Sequence, residues 1–145
     1  MPTGRSGPAV AAVGGRLFAI GGYGGGTYLS SVEAFDPQTG VWAALAPMAT
    51  ARCGARAAVL DGKIYVVGGF NGNTWLATVE VYDPATNAWS QAPPSTPREY
   101  LGVAALGGKL YAVGGANDDD GHLSSAEVFD PQTPFMRGSP VTRYV

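Results

Sequence analysis

A pair of adjacent glycines returns three times along this chain, at Gly21-Gly22, Gly68-Gly69 and Gly114-Gly115, with spacings of 47 and 46 residues. The segments leading into it read VGGRLFAIGG, LDGKIYVVGG and LGGKLYAVGG. Self-similarity at such a period makes each unit one supersecondary piece that must bury its faces against its neighbours. Other landmarks keep the same step: Arg5, Arg52 and Arg98, then Glu33, Glu80 and Glu127, then Asp36-Pro37, Asp83-Pro84 and Asp130-Pro131. Trp42 and Trp89 follow at a matching offset.

Within each unit, two short apolar runs flank a glycine pair or Asp-Gly, as in Ala9 to Val13, Gly14-Gly15 and Leu17 to Ile20. Two runs joined by such a two-residue turn form a hairpin, because the turn needs positive φ and glycine supplies it without strain. Ile64-Tyr65-Val66-Val67 is apolar on both faces and predicts a strand covered on both sides. After the double glycine comes a polar loop, then a third strand such as Val79-Glu80-Val81-Tyr82. Asp83-Pro84-Ala85-Thr86-Asn87 is a turn, with Asn87, like Gly40 in the first unit, suited to a left-handed conformation. A fourth strand follows and carries Trp42 or Trp89. No segment of helical period and useful length is present. Four short antiparallel strands repeated at this period describe the blade of a β-propeller. The prediction is an all-β, single-domain chain over 1–145, a partial β-propeller of three four-stranded antiparallel blades at about 5–48, 52–94 and 98–140, not closed within one chain.

Composition narrows the function classes. Gly and Pro number 22 and 11 of 145 residues, which would suggest low complexity if 46% of the chain were not hydrophobic. Nine Lys plus Arg against eleven Asp plus Glu give no basic field for a phosphate backbone, which argues against nucleic acid. No apolar run approaches the roughly 20 residues of a membrane-spanning helix, so no membrane partner is expected. A lone Cys53 closes no internal disulfide, and no charged-then-apolar leader follows Met1, so the expected location is cytoplasmic.

The double glycine with Phe18, Tyr65 or Tyr111 three positions before it, the Glu and Asp-Pro that follow, and the Trp beyond resemble the Kelch repeat, over about Arg5 to Pro140. The loop text GGYGGGTYLSSVEAFDPQTGVWAALAPM is similar to that of the Kelch-like adaptor group. The resemblance implies a non-catalytic protein-interaction module, with a protein or peptide ligand bound on the propeller rim. It also implies relatives that present substrates to cullin ubiquitin ligases or bind actin; the chain is too short for the dimerisation and cullin-docking domains of those adaptors, so such a role here needs a longer product or another chain. In peptide-capturing relatives the contacts come from the residue after the double glycine and those after the Arg. Here these slots hold Tyr23, Phe70 and Ala116, then Ser6, Cys53 and Glu99, with Gly7, Gly54 and Tyr100 beyond. Trp75 and Asn117, with Tyr28, Asn71 and Asn73, extend the expected rim. Where relatives that read acidic peptides place extra Arg, this chain has Gly7, Gly54 and Tyr100, which argues against an acidic-peptide ligand.

The third unit departs from its siblings. Pro134 stands in the slot of Gly40 and Asn87, and Met136 in that of Trp42 and Trp89. Proline is locked near φ −65° and cannot make the left-handed turn, so the outer strand is expected to be frayed or missing. Arg143-Tyr144-Val145 then reads as the start of a fourth unit. Propellers close with about 4 to 8 blades, so three leave two apolar faces open, and self-association to complete a ring is expected.

Other chemistry fits less well. His122 is the only histidine, so no second imidazole serves a metal site, and a Cys53–His122 nucleophile pair would have to form between different blades. A copper-radical oxidase of the related propeller type needs more histidines. Gly22-Tyr23-Gly24-Gly25-Gly26 leads into a strand rather than a helix and so reads as a flexible loop, not a phosphate cradle. Asp118-Asp119-Asp120 lacks the spaced ligands of a calcium loop and reads as a solvated insertion. No cofactor, metal or catalytic residue is predicted. The rivals are a metal-binding or enzymatic propeller of the isomerase or oxidase type, and a gene fragment without independent function. Phe18, Tyr65, Tyr111, Trp42 and Trp89 are expected to pack between sheets, and the recurring Arg and Glu residues to pair with each other or with carbonyls.

Overall fold

The computed structural model describes residues 1–132 and the backbone of 142–144. It contains three four-stranded antiparallel sheets and, among the described residues, no helix. The first sheet runs β1 (Ala9–Val13), β2 (Arg16–Ile20), β5 (Val32–Asp36), β6 (Val41–Leu45), with β3 (Tyr23–Gly24) and β4 (Thr27–Tyr28) forming a small ribbon between its second and third strands. The second runs β7 (Arg56–Leu60), β8 (Lys63–Val67), β9 (Val79–Asp83), β10 (Ala88–Ala92). The third runs β11 (Gly102–Leu106), β12 (Lys109–Val113), β15 (Ala126–Phe129), β16 (Thr142–Tyr144), with a ribbon of β13 (Ala116–Asn117) and β14 (Gly121–His122). Three such sheets, stacked with their first strands side by side, are propeller blades.

Turn chemistry sets the boundaries. Gly14, Gly15, Gly107 and Gly108 all have positive φ, and Asp61-Gly62 makes the same turn with Asp61 at +51°. At the same end of each sheet, where the third strand stops, the carboxylates of Asp36, Asp83 and Asp130 accept the backbone N–H of Gln38, Ala85 and Gln132 at 2.8 to 2.9 Å. Each aspartate thereby fixes the turn into its proline. Gly40 and Asn87 take φ of +72° and +51°, the left-handed conformation that lets the fourth strand return.

The two sides of each strand face different neighbours, as a period of two requires. Ile64 and Val66 of β8 pack toward the first sheet, with Phe18, Ile20, Val32 and Tyr82. Tyr65 and Val67 pack toward the third, with Val79, Val81, Leu101 and Leu110. The middle sheet is therefore the interior of a three-layer sandwich. Its outer strand is also clamped to the preceding unit: Trp89 Nε1 donates to the carbonyl of Ala46 at 2.8 Å, and Asn87 Oδ1 accepts both the Ala46 N–H and the Tyr82 hydroxyl.

Three expectations change. The stretch after Gly22 is not a loose loop but the ribbon β3–β4, turning through Gly25 and Gly26 at φ +60° and +81°. Arg143 and Tyr144 do not begin a fourth unit; with Thr142 they form β16 on β15, satisfying backbone groups that an open edge strand leaves unpaired. The third sheet thus has a fourth strand, three residues long and beyond residue 140. The third change concerns aromatic packing: Phe18, Tyr65 and Trp89 lie between sheets, whereas Trp42 lies on the outer side of the first sheet against Phe35, ring centroids 5.2 Å apart. Tyr111 likewise belongs to the outer side of the third sheet, half-buried. The expectations placed on Pro134 and Met136 lie outside the described residues.

Ile64 is fully buried between two sheets, and Val41 is 58% exposed on an outer strand. Ile64→Ala is expected to lower the unfolding free energy by about 2–5 kcal/mol, and Val41→Ala by less than about 0.5 kcal/mol. Urea denaturation followed by tryptophan fluorescence measures both.

Candidate functional site: the double-glycine rim

The end of the sheets that carries the double glycines is built around three buried guanidinium groups. Arg52 Nη1 donates to the carbonyls of Gly68 and Thr78 at 2.8 and 3.0 Å, and Nη2 to Thr78 Oγ1 and Glu80 Oε2 at 2.9 and 2.6 Å. Arg5 makes the same set to Gly21, Ser31 and Glu33, and Arg98 to Gly114 and Ser125 with Glu127 Oε1 at 3.4 Å. Two of the glutamates also hold the linker that enters their blade: Glu80 accepts the Ala49 N–H at 2.7 Å, and Glu127 the N–H and hydroxyl of Thr96. Burial pulls the Arg52 guanidinium below its ordinary value, with Glu80 opposing. Burial also pushes the Glu33 carboxyl up, but hydrogen bonds from Arg5 and Thr3 and the charge of Arg5 outweigh it and leave it below its ordinary 4.5.

The glycine pair joins one blade to the next. The carbonyl of the first glycine accepts its own blade's Arg, while the N–H of the second donates to the carbonyl of the next blade's Arg: Gly22 to Arg52 and Gly69 to Arg98, both at 2.8 Å. A Cβ on Gly21 would stand 2.6 Å from the Arg52 carbonyl oxygen, and one on Gly68 closer still to that of Arg98. No side chain fits there.

Above this frame lie the variable positions. Short bridges pair Ser6 with Tyr23, Cys53 with Phe70 and Glu99 with Ala116, so the slot after each Arg lies beside the slot after each double glycine. A continuous aromatic line crosses two blades: Tyr23 meets Tyr28 edge-on at 5.1 Å, Tyr28 meets Phe70 at 5.8 Å, and Phe70 meets Trp75 at 4.6 Å. Trp75 Nε1 donates to Glu99 Oε1 at 3.0 Å and carries the line to the third blade. Tyr23 is exposed, Phe70 and Trp75 half-buried.

Toward the middle of the rim, Gly7, Gly54 and Tyr100 form a ladder, with Gly54 N–H donating to the Gly7 carbonyl and Tyr100 N–H to that of Gly54 at 3.0 and 2.8 Å. Tyr100 holds φ at +51° where its siblings are glycines, and its ring is 59% exposed. A bulky residue in the left-handed region is strained and persists only where its surroundings dictate it. Arg56 lies 5.8 Å from the Tyr100 ring centroid. Repulsion from Cys53, then burial and Glu99, raise the Tyr100 hydroxyl above its ordinary value, with Arg56 opposing. Cys53 is half-buried, its Sγ 3.6 Å from the Ser6 carbonyl oxygen.

Asn117 stands apart from this line. Its Nδ2 donates to the Pro97 carbonyl at 2.8 Å and its Oδ1 accepts the Asp120 N–H at 2.7 Å, so its amide is spent on the β13–β14 turn. Asn71 similarly caps its own loop through Asn73 and Thr74. Arg56 escaped the sequence reading; its signal was a cation in a slot that is Ala9 and Gly102 in the sibling units. Outside the buried pairs, the charged side chains described at this end are those of Glu99, Asp118, Asp119, Asp120 and Arg56.

A family profile described as the Kelch motif matches residues 4–49, 51–96 and 97–134. Among curated proteins, Kelch-like protein 35 of Mus musculus is 46% identical over 48 residues, which are 33% of this chain and 8% of that protein. The influenza virus NS1A-binding protein homolog of Mus musculus is 48% identical over 46 residues, 32% of this chain and 7% of that protein. Kelch-like protein 35 of Homo sapiens is 51% identical over 39 residues, 27% of this chain and 7% of that protein. Each match is about one repeat long and spans less than a tenth of the relative.

Removing one member of a buried ion pair strands the other, so Arg52→Ala is expected to cost about 3–5 kcal/mol of unfolding free energy, read by urea denaturation. Glu33 gives the acid response. Its folded value lies below its unfolded one, so the stability it contributes is complete above pH 4.5 and is lost as pH falls below that through the folded value. Glu33→Gln is expected to make the fall of unfolding free energy with acidity shallower in that window.

Proposed function

Because this chain belongs to the Kelch-motif family, we propose that it is a non-catalytic protein-interaction module whose double-glycine rim binds a peptide or a protein segment. The observation that carries this reading is the line Tyr23, Tyr28, Phe70 and Trp75, built from positions that vary between otherwise matching units. Aromatic side chains offer large contact area for little lost rotamer freedom, and they dominate binding energy where they centre an interface. Loops on a repeating scaffold are also where recognition concentrates. The name of one relative refers to binding of another protein, which supports the same class of role.

The rim's charge favours a particular ligand. Glu99, hydrogen-bonded to Trp75 of the aromatic line, and the acidic β13–β14 turn of the third blade with Asp118, Asp119 and Asp120 complement a segment that presents lysine or arginine next to an apolar anchor. Such a cation gains from the ring faces as well as from the carboxylates. Any part in a cullin ubiquitin ligase or on actin would run through this surface in the context of a longer product.

Arrays of immobilised random linear peptides test the reading. The chain is expected to be retained on members that combine lysine or arginine with an aromatic or large aliphatic residue. Tyr23→Ala and Phe70→Ala are each expected to weaken the strongest such pair by about 2 kcal/mol, roughly thirtyfold. Equal retention of both variants would remove this rim, and no retention on any member would remove the peptide-binding role.

A further inference from the structure

The contact between successive sheets has three parts, and each occurs twice within the chain. The second glycine of a pair donates its N–H to the next linker's Arg carbonyl, as Gly22 to Arg52 and Gly69 to Arg98. An aromatic ring on the second strand meets a ring on the third strand of the next sheet, Phe18 with Tyr82 at 5.9 Å and Tyr65 with Phe129 at 5.7 Å. Apolar faces close around both.

Each part is also present a third time, cut in half. Gly114 and Gly115 hold φ of +65° and +95°, as their siblings do, yet among the described residues no acceptor faces the Gly115 N–H and no donor faces the Arg5 carbonyl. A Cβ on Gly114 would come no nearer than 3.5 Å to another residue, the Leu123 carbonyl oxygen, where its siblings abut the next linker. The position is bare without a steric reason inside the chain. Tyr111 occupies the slot of Phe18 and Tyr65, and Phe35 that of Tyr82 and Phe129; among the described residues neither ring meets one in another sheet. The faces that carry them expose Val113 and Leu106 on the third sheet and Val10 and Leu17 on the first.

The missing half of each contact is thus found at the far side of the same chain. We infer that a second copy of this chain docks head to tail, the outer face of its first sheet on the outer face of the third, with its Arg5 carbonyl on the Gly115 N–H and its Phe35 against Tyr111. Head-to-tail contacts either close into a ring or run on as a filament. Two copies bring six sheets, inside the range of about four to eight in closed propellers, and three copies overshoot it. The contact repeats an interface already built twice in the molecule, so it demands no new complementarity.

Light scattering after size-exclusion chromatography of the full chain is expected to give twice the mass of one chain. Val113→Glu and Leu17→Glu, at positions 51% and 39% exposed in the single chain, are each expected to return one chain's mass. Joined as Tyr111→Cys with Phe35→Cys on a Cys53→Ser background, the chain treated with a bismaleimide that spans the roughly 10 Å between facing sheets is expected to give a species of two linked copies and no larger. This arm does not depend on whether the charged variants fold. A single-chain mass for the unaltered protein, an unchanged double mass in both charged variants, or a cross-linked ladder beyond two copies would each overturn the closed pair. Because the rim lies at the ends of the sheets and not on their faces, loss of the pair with peptide retention intact would leave the proposed binding role standing.

Discussion

The structure depends on a buried guanidinium group in each repeat that must find acceptors for its donors. A desolvated cation is costly unless it is paired and hydrogen-bonded, and the pairing here is made almost entirely by carbonyls already fixed by strands. Arg52 draws together the end of β8, the residue before β9 and the carboxylate of Glu80, which in turn holds the incoming linker. One side chain therefore ties three segments distant in sequence. The fit is incomplete at one atom of each of two side chains: the Nε–H groups of Arg52 and Arg98 are buried with no acceptor among the described residues. Arg5 avoids this by turning Nε to Glu33 at 3.3 Å. The glycine pair follows from the same constraint, because the guanidinium needs the first glycine's carbonyl and the next linker must lie against the backbone that offers it.

A scaffold this constrained leaves freedom only above itself. Three slots in the same geometry hold Ser6, Cys53 and Glu99, and three more hold Gly7, Gly54 and Tyr100. The last series shows how far the scaffold dictates the backbone. Tyr100 accepts a conformation suited to glycine, because the hydrogen bond to Gly54 and the sheet behind it leave no alternative, and an exposed ring is thereby fixed near the centre of the rim.

What the sequence could reveal divides along the same line. The hairpins, the left-handed turns at Gly40 and Asn87 and the strand order were legible, because each rests on a local rule of backbone sterics that names its own residue. The aromatic slots were not fully legible. Trp42 and Trp89 are indistinguishable by position, yet one lies between sheets and the other on an outer side, and only the three-dimensional neighbour decides which. β16 was hidden for a related reason, since the stretch that separates it from its partner β15 has Pro134 in the slot of the left-handed Gly40 and Asn87. On the rim, position alone named Tyr23, Phe70 and Trp75, which the structure brings into one aromatic line. It did not show that the Asn117 amide is bonded within the chain, and it passed over Arg56, whose nearness to Tyr100 depends on packing between blades.

The forward-reaching bond between units also orders events during synthesis. The N–H of Gly22 is satisfied by residue 52, and that of Gly69 by residue 98. A nascent chain that ends at Leu45 already contains all four strands of the first sheet yet still lacks the carbonyl that closes its rim. Translation must advance into the following unit before the rim bond of the preceding one can form.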